Sequence, residues 1–298
     1  MNIRTKPIIG ALAVAPLVRV VRRSVALAPL LWFAALLVPP AHAAQETPAD
    51  LVVVQQGSLP IILTVPHGGR EVIPGIAPRN LQGKSRGGKW NGFVGGSDAN
   101  TDILAERIAA EIKALTGRDV YLVMAKFQRK FVDANRPPEM ALDDPRARPY
   151  YDHYHNAIRH FVDEVRKTYP AGLLIDVHGQ NDDPAVLMRG TWNGRTVARL
   201  LQRAGAAAVT GPEGMFGQLQ SNGFKVFPNN ALPVGGTSED GGLNGGYTLA
   251  IYGSNMPDGI DAIQFEFGGN YRKMDVLDKS AKDAARAIVA FHHAYLSK

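Results

Sequence analysis

Leu173-Leu174-Ile175-Asp176-Val177-His178-Gly179 is an apolar run that leads straight into a histidine and a glycine. Pro60-Ile61-Ile62-Leu63-Thr64-Val65-Pro66-His67-Gly68-Gly69 repeats the pattern earlier in the chain. Short apolar segments rich in β-branched residues read as buried strands, so strands are expected at Pro60–Val65 and Leu173–Val177. Leu51–Val54, Val120–Phe127 and Ala262–Phe267 have the same character. Helical spacing fills the intervals: Thr101–Leu115 sets Ile103, Leu104, Ile108 and Ile112 on one stripe. Tyr151–Tyr169, Thr196–Val209 and Asp278–Leu296 behave alike. Strands alternating with helices predict a three-layer α/β/α sandwich with a mixed, largely parallel sheet.

The chain has 298 residues, 45% of them apolar, and shows neither repeats nor low-complexity stretches. Residues 1–43 stand apart. Arg4, Lys6, Arg19, Arg22 and Arg23 come without an acid, the apolar run Val25–Val38 follows, and Ala41-His42-Ala43 closes the segment. This order predicts a signal peptide, with Arg22-Arg23 resembling the twin-arginine type. Residues 44–298 are then expected to form a single exported domain, periplasmic or extracellular, with membrane contact only through the export signal.

The formal charge of +6 belongs largely to that leader. Without it the 33 Lys and Arg fall by five to 28, against 27 Asp and Glu. A near-neutral domain gives no basic face for a nucleic acid. Cysteine is absent, so any metal must be held by His, Asp and Glu.

In parallel sheets, ligands gather beyond the C-terminal ends of the strands. His67 and His178 are placed there, each followed by glycine. Asp176 alternates onto the side of His178 and suits a supporting hydrogen bond. A third metal ligand comes from Asp98, ahead of the first helix, or from Glu71, four residues past His67. Arg129, Asp133, Asn135 and Arg136 share one loop after a strand, and arginine grips carboxylates with two parallel hydrogen bonds; Asp133 is expected to hold Arg136. Glu266 is a carboxylate inside an apolar strand, where burial is costly unless the charge is used. His153, His155 and His160 miss the spacing of a helical metal pair, although His155 can border the site. His292 and His293 read as surface or packing residues.

Together, Val65-Pro66-His67-Gly68-Gly69, Asp98, Arg129 with Asp133-x-Asn135-Arg136, Tyr154-His155, Asp176-x-His178-Gly179 and Gln264-x-Glu266 resemble the N-formylglutamate amidohydrolase family, a relative of zinc carboxypeptidases and succinylglutamate desuccinylases. The resemblance favours Asp98 over Glu71, because Asp98, Asp102 and Leu104 fit the family's spacing. It implies one zinc ion on His67, Asp98 and His178, Glu266 as general base, and a substrate carboxylate clamped by Asn135 and Arg136 with help from Arg129. The expected reaction is hydrolysis of the amide of a small N-acyl amino acid or peptide-like substrate. The resemblance also leaves room for a mobile Gly-rich lid over Gly235-Gly236 to Gly245-Gly246-Tyr247, with Tyr247 on the substrate. An exported carboxypeptidase acting on peptides or wall fragments, and an exported binding protein without turnover, are the alternatives.

Overall fold

Seven strands form one sheet in the computed structural model, which describes residues 47–80 and 94–297. The leader expected over residues 1–43 lies outside the described residues. The strands are β1 (Val52–Gln55), β2 (Ile61–Val65), β3 (Tyr121–Ala125), β4 (Leu173–Gln180), β5 (Leu187–Gly190), β6 (Val226–Phe227) and β7 (Asp261–Gly268). Their order is β1-β3-β2-β4-β7-β5-β6. The four central strands β3, β2, β4 and β7 are parallel, while β1 and β5 join them antiparallel.

The helices are α1 (Thr101–Thr116), α2 (Pro138–Ala141), α3 (Arg148–Thr168), α4 (Ala198–Ala204), α5 (Ala207–Thr210), α6 (Met215–Ser221), α7 (Tyr247–Tyr252) and α8 (Leu277–Tyr295). Strand alternation divides the apolar residues between two cores. Leu63, Ile175, Phe265 and Phe267 pack with α1, α6 and α8 through Ile108, Phe216 and Ile288. On the opposite face, Ile62, Leu174 and Ala262 pack with Tyr154 and Ile158 of α3 and Leu249 of α7. This is the expected three-layer α/β architecture with a mixed sheet.

The second face changes character along the strands. One alternation step beyond Ile62, Leu174 and Ala262 lie Thr64, Asp176 and Gln264, paired side by side in register. The next step pairs His178 with Glu266. A buried polar row thus crosses the sheet where the apolar row ends.

Strands β5 and β6 were not expected. β5 is Leu-Met-Arg-Gly, too short and too mixed to show an alternation, and β6 has two residues. The helix expected over Thr196–Val209 is broken: α4 stops at Gly205, whose φ of 72° lies in the left-handed region, and α5 restarts at Ala207.

Candidate active site

His67, Asp98 and His178 come from three different segments, and one donor atom of each lies within 4.8 Å of the others. His67 follows β2 and is 1% exposed. His178 lies inside β4, which continues to Gln180 rather than ending at Val177. Asp98 sits in the loop before α1, where its backbone N–H donates to the His67 carbonyl at 3.0 Å. The N-cap of α1 is Asn100, so the Asp98 carboxylate is not used for capping. It accepts instead from the Gly179 N–H at 3.1 Å. Gly179 is required at this spot, since a Cβ there would meet Arg272 Cζ at 2.4 Å.

Each imidazole is oriented by a carboxylate behind it. His67 Nε2 donates to Asp133 Oδ1 at 2.7 Å, and His178 Nε2 donates to Asp176 Oδ2 at 2.9 Å. The carboxylates only accept, so those nitrogens carry the hydrogens. Nδ1 of both rings is thereby turned toward Asp98 Oδ2, at 3.5 Å from His67 and 3.1 Å from His178. His67 Nδ1 is buried and has no hydrogen-bond partner among the described residues.

The supporting carboxylates are themselves held. Asp176 takes the Thr64 hydroxyl at 2.6 Å on its other oxygen. Asp133 accepts from Arg129 Nε at 2.8 Å and from the Asn135 N–H at 3.1 Å. The expectation that Asp133 holds Arg136 is therefore corrected: its oxygens go to His67 and Arg129, because the 133–136 turn directs them inward. Arg136 instead donates from Nη1 to the Asn135 carbonyl at 3.0 Å, and its buried Nε is unpartnered among the described residues.

Electrostatics follow from this crowding. Burial opposes the charge on Asp98, but the adjacent His178 and His67 imidazoles overcome it and hold the carboxyl below its ordinary range. Burial likewise opposes charge on His178, yet Asp176, Glu266 and Asp98 raise its pKa well above the usual histidine value. Positive charge between these groups is favoured. Burial pushes the Glu266 carboxyl up to about 8. Glu266 Oε1 lies 3.9 Å from His178 Nδ1 and accepts from Gln264 Nε2 at 2.7 Å, while Oε2 has no partner among the described residues.

All seven residues singled out for metal, base and clamp roles border one cavity of about 540 Å³: His67, Asp98, His178, Glu266, Arg129, Asn135 and Arg136. Glu71 does not. It is exposed, bridges to Phe127 beyond the end of β3, and borders a separate hollow with Arg70 and Asp102. Asp102 turns to Arg70 at 3.0 Å. His155 is not a lining residue either: it joins the Ala134 carbonyl at 3.0 Å and the Tyr252 hydroxyl at 2.9 Å, bracing the 133–136 turn from α3. The segment Gly242–Gly246 does form a cavity wall. Tyr247 does not line the cavity; its ring packs near His155, with centroids 6.1 Å apart.

Several contributors were given no role of their own from sequence. Gln264 lines the cavity beside Glu266. Arg272 ties the ends of β4 and β7 to the Asp98 loop through the carbonyls of Gln180, Phe267 and Ala99. The wall 242–246 is anchored by buried Glu239, which accepts from Arg189 Nε at 2.9 Å, from Thr191 N and Oγ1, and from Asn193 N. Only Gln264 carried a signal, the same strand alternation that marked Glu266.

Comparison with protein-family models gives no match, and comparison with curated proteins gives none either. Solved structures do show likeness. An N-formylglutamate amidohydrolase from Ralstonia eutropha JMP134 superposes with a TM-score of 0.54 at 15% identity, covering 82% of this chain and 98% of that one. A gene product from Agrobacterium tumefaciens superposes with a TM-score of 0.50 at 15% identity, covering 84% and 94%. This chain therefore has the fold of N-formylglutamate amidohydrolase.

Proposed function

We propose that this protein is an exported zinc-dependent amidohydrolase that cleaves the C–N bond of a small N-acyl amino acid of the N-formylglutamate kind. The observation that carries the proposal is the convergence of two imidazole Nδ1 atoms on one carboxylate oxygen, with two arginines and a glutamate whose Oε2 has no partner among the described residues in the same cavity. The fold likeness to N-formylglutamate amidohydrolase supports it.

The donor set fits zinc. His67 Nδ1 faces Asp98 Oδ2 with no hydrogen bond to resolve two acceptors, which a cation between them would do. Two nitrogens and one carboxylate oxygen are a common catalytic zinc set, and ligand bonds of about 2.0–2.1 Å place tetrahedral neighbours roughly 3.3 Å apart. The separations of 3.1 and 3.5 Å bracket that figure. The chemistry zinc would supply there is an acidified water and a polarised amide carbonyl.

The chain's own residues supply the rest. Glu266 accepts the proton of the attacking water at Oε2 and delivers it to the leaving nitrogen; burial suits it for both directions of transfer near neutral pH. Arg136, through an Nε that has no partner among the described residues, and Arg129 grip the substrate carboxylate. Asn135 gives its carbonyl to Thr248 N at 2.8 Å, which directs its amide nitrogen toward His178 Nε2. That ring nitrogen already donates to Asp176, so the Asn135 amide hydrogens are left for the substrate. The products are an amine and a carboxylic acid. No nucleic-acid partner enters this reading.

The test is a panel of N-formyl, N-acetyl and N-succinyl amino acids together with short peptides, assayed with zinc. Turnover of N-acyl amino acids is expected, falling at least 1,000-fold, about 4 kcal/mol, in Glu266→Gln with zinc content retained. Release of C-terminal residues from peptides alone, or an unchanged rate in Glu266→Gln, overturns the proposal.

A further inference from the structure

Gln264 occupies a position that the hydrolase reading above does not use. It stands in the middle of β7, two residues before Glu266 on the same face, is 3% exposed, and borders the cavity. Its Nε2 donates to Glu266 Oε1 at 2.7 Å. In that bond the amino side of the carboxamide is the donor, which leaves its carbonyl side pointing elsewhere. The carbonyl atom, Gln264 Oε1, is buried without a partner among the described residues.

The neighbours in the sheet cannot satisfy it. On one side Gln264 is in register with Asp176, whose two oxygens already accept from Thr64 and His178 and offer no hydrogen. On the other side it is in register with Gly190, which has no side chain. A buried carbonyl acceptor left open beside a cavity selects a ligand that brings a donor.

We infer that Gln264 Oε1 accepts the N–H of the scissile amide, making Gln264 a substrate-contacting residue that selects amides over the matching esters. The inference rests on the hydrolase reading and sharpens its substrate class to secondary amides. It also sets the orientation of the substrate: nitrogen toward β7, carboxylate toward Arg136. In that orientation the leaving nitrogen lies beside Glu266. The water oxygen bonds to the carbonyl carbon, the C–N bond breaks, and the water's proton ends on that nitrogen. An ester carries no hydrogen at the corresponding oxygen and leaves Gln264 Oε1 unpaired, which is how a site built around a polar contact rejects an analogue that lacks it.

The experiment is a cycle of two proteins and two substrates with zinc supplied: wild type and Gln264→Met, against an N-acyl glutamate and the O-acyl 2-hydroxyglutarate that replaces its N–H by oxygen. Methionine keeps the length and removes both polar atoms. The amide's kcat/KM is expected to fall 30-fold or more and the ester's at least tenfold less than that. Equal losses on both substrates mean that Gln264 only orients Glu266, and overturn the inference while the hydrolase reading stands. If Gln264→Met lacks the native circular dichroism, the wild type decides: its kcat/KM on the N-methylated amide should fall at least 30-fold, and an unchanged value overturns the inference. A wild type that turns over neither amide nor ester overturns the hydrolase reading and the inference with it.

Discussion

Asp176 accepts from His178 Nε2 at 2.9 Å, and through that one bond turns Nδ1 of the ring onto Asp98 at 3.1 Å. The orientation of the imidazole is thus set by a residue two positions earlier on the same strand. In Asp176→Asn the side chain is no longer a pure acceptor, and the tautomer that presents Nδ1 loses its support. Zinc affinity is expected to fall roughly 10- to 100-fold, read by competition with a chromophoric chelator. An unchanged affinity contradicts the role given to Asp176.

The buried pair of Arg189 and Glu239 anchors the wall 242–246. Arg189 Nη1 and Nη2 have no hydrogen-bond partners among the described residues, and the guanidinium lies over the Phe216 ring at 5.6 Å. Glu239→Gln removes the counter-charge and leaves a cation in the core. The expected cost is about 3–5 kcal/mol, seen as a lower urea midpoint, with partial recovery in the double change of Arg189→Met and Glu239→Gln. A midpoint equal to wild type rules the anchor out.

Burial pushes the His155 imidazole down to about 4 from its ordinary 6.5. Between these values the unfolded chain binds a proton that the folded chain does not. The neutral imidazole's contribution is therefore complete above pH 6.5 and is lost as pH falls toward 4, by on the order of 3 kcal/mol in total. Urea unfolding at pH 7 and pH 4.5 should show a smaller drop in His155→Gln than in wild type; equal drops contradict the assignment.

At Gly246 the backbone abuts Asn135, the residue proposed to clamp the substrate, and a Cβ would lie 2.0 Å from Asn135 Nδ2. Because Asn135 is also bonded to Thr248, its carboxamide cannot simply rotate away. Gly246→Ala is expected to cost about 1–3 kcal/mol of stability and to raise KM for the substrate more than it lowers kcat. Wild-type kinetics in this variant would remove Asn135 from the clamp.

Most of the layer architecture is legible in the sequence, because the central strands are continuous apolar runs and the principal helices keep a clear stripe. The residues that converge are legible for the same reason: His178 and Glu266, each two residues after Asp176 or Gln264, stand out in strands rich in apolar residues, and His67 follows directly on such a strand. What is not legible is partnership across long separations. Asp133 meets His67, 66 residues away, only because β3 lies parallel to β2, so the loop after one strand reaches the end of the other. Glu239 follows no periodic segment, and its partner Arg189 sits on a four-residue strand with no pattern of its own. Nor does the sequence reveal that Asn100 takes the N-cap of α1 and leaves the Asp98 carboxylate to Gly179.

The central claim is that His67, Asp98 and His178 hold one zinc ion. Isothermal titration of the chelator-stripped protein with zinc tests it most directly, with His178→Ala as the comparison. One site per chain is expected in the wild type and at least a 100-fold weaker one in the variant. A wild type that takes up no zinc, or a variant that binds it as tightly, contradicts the account.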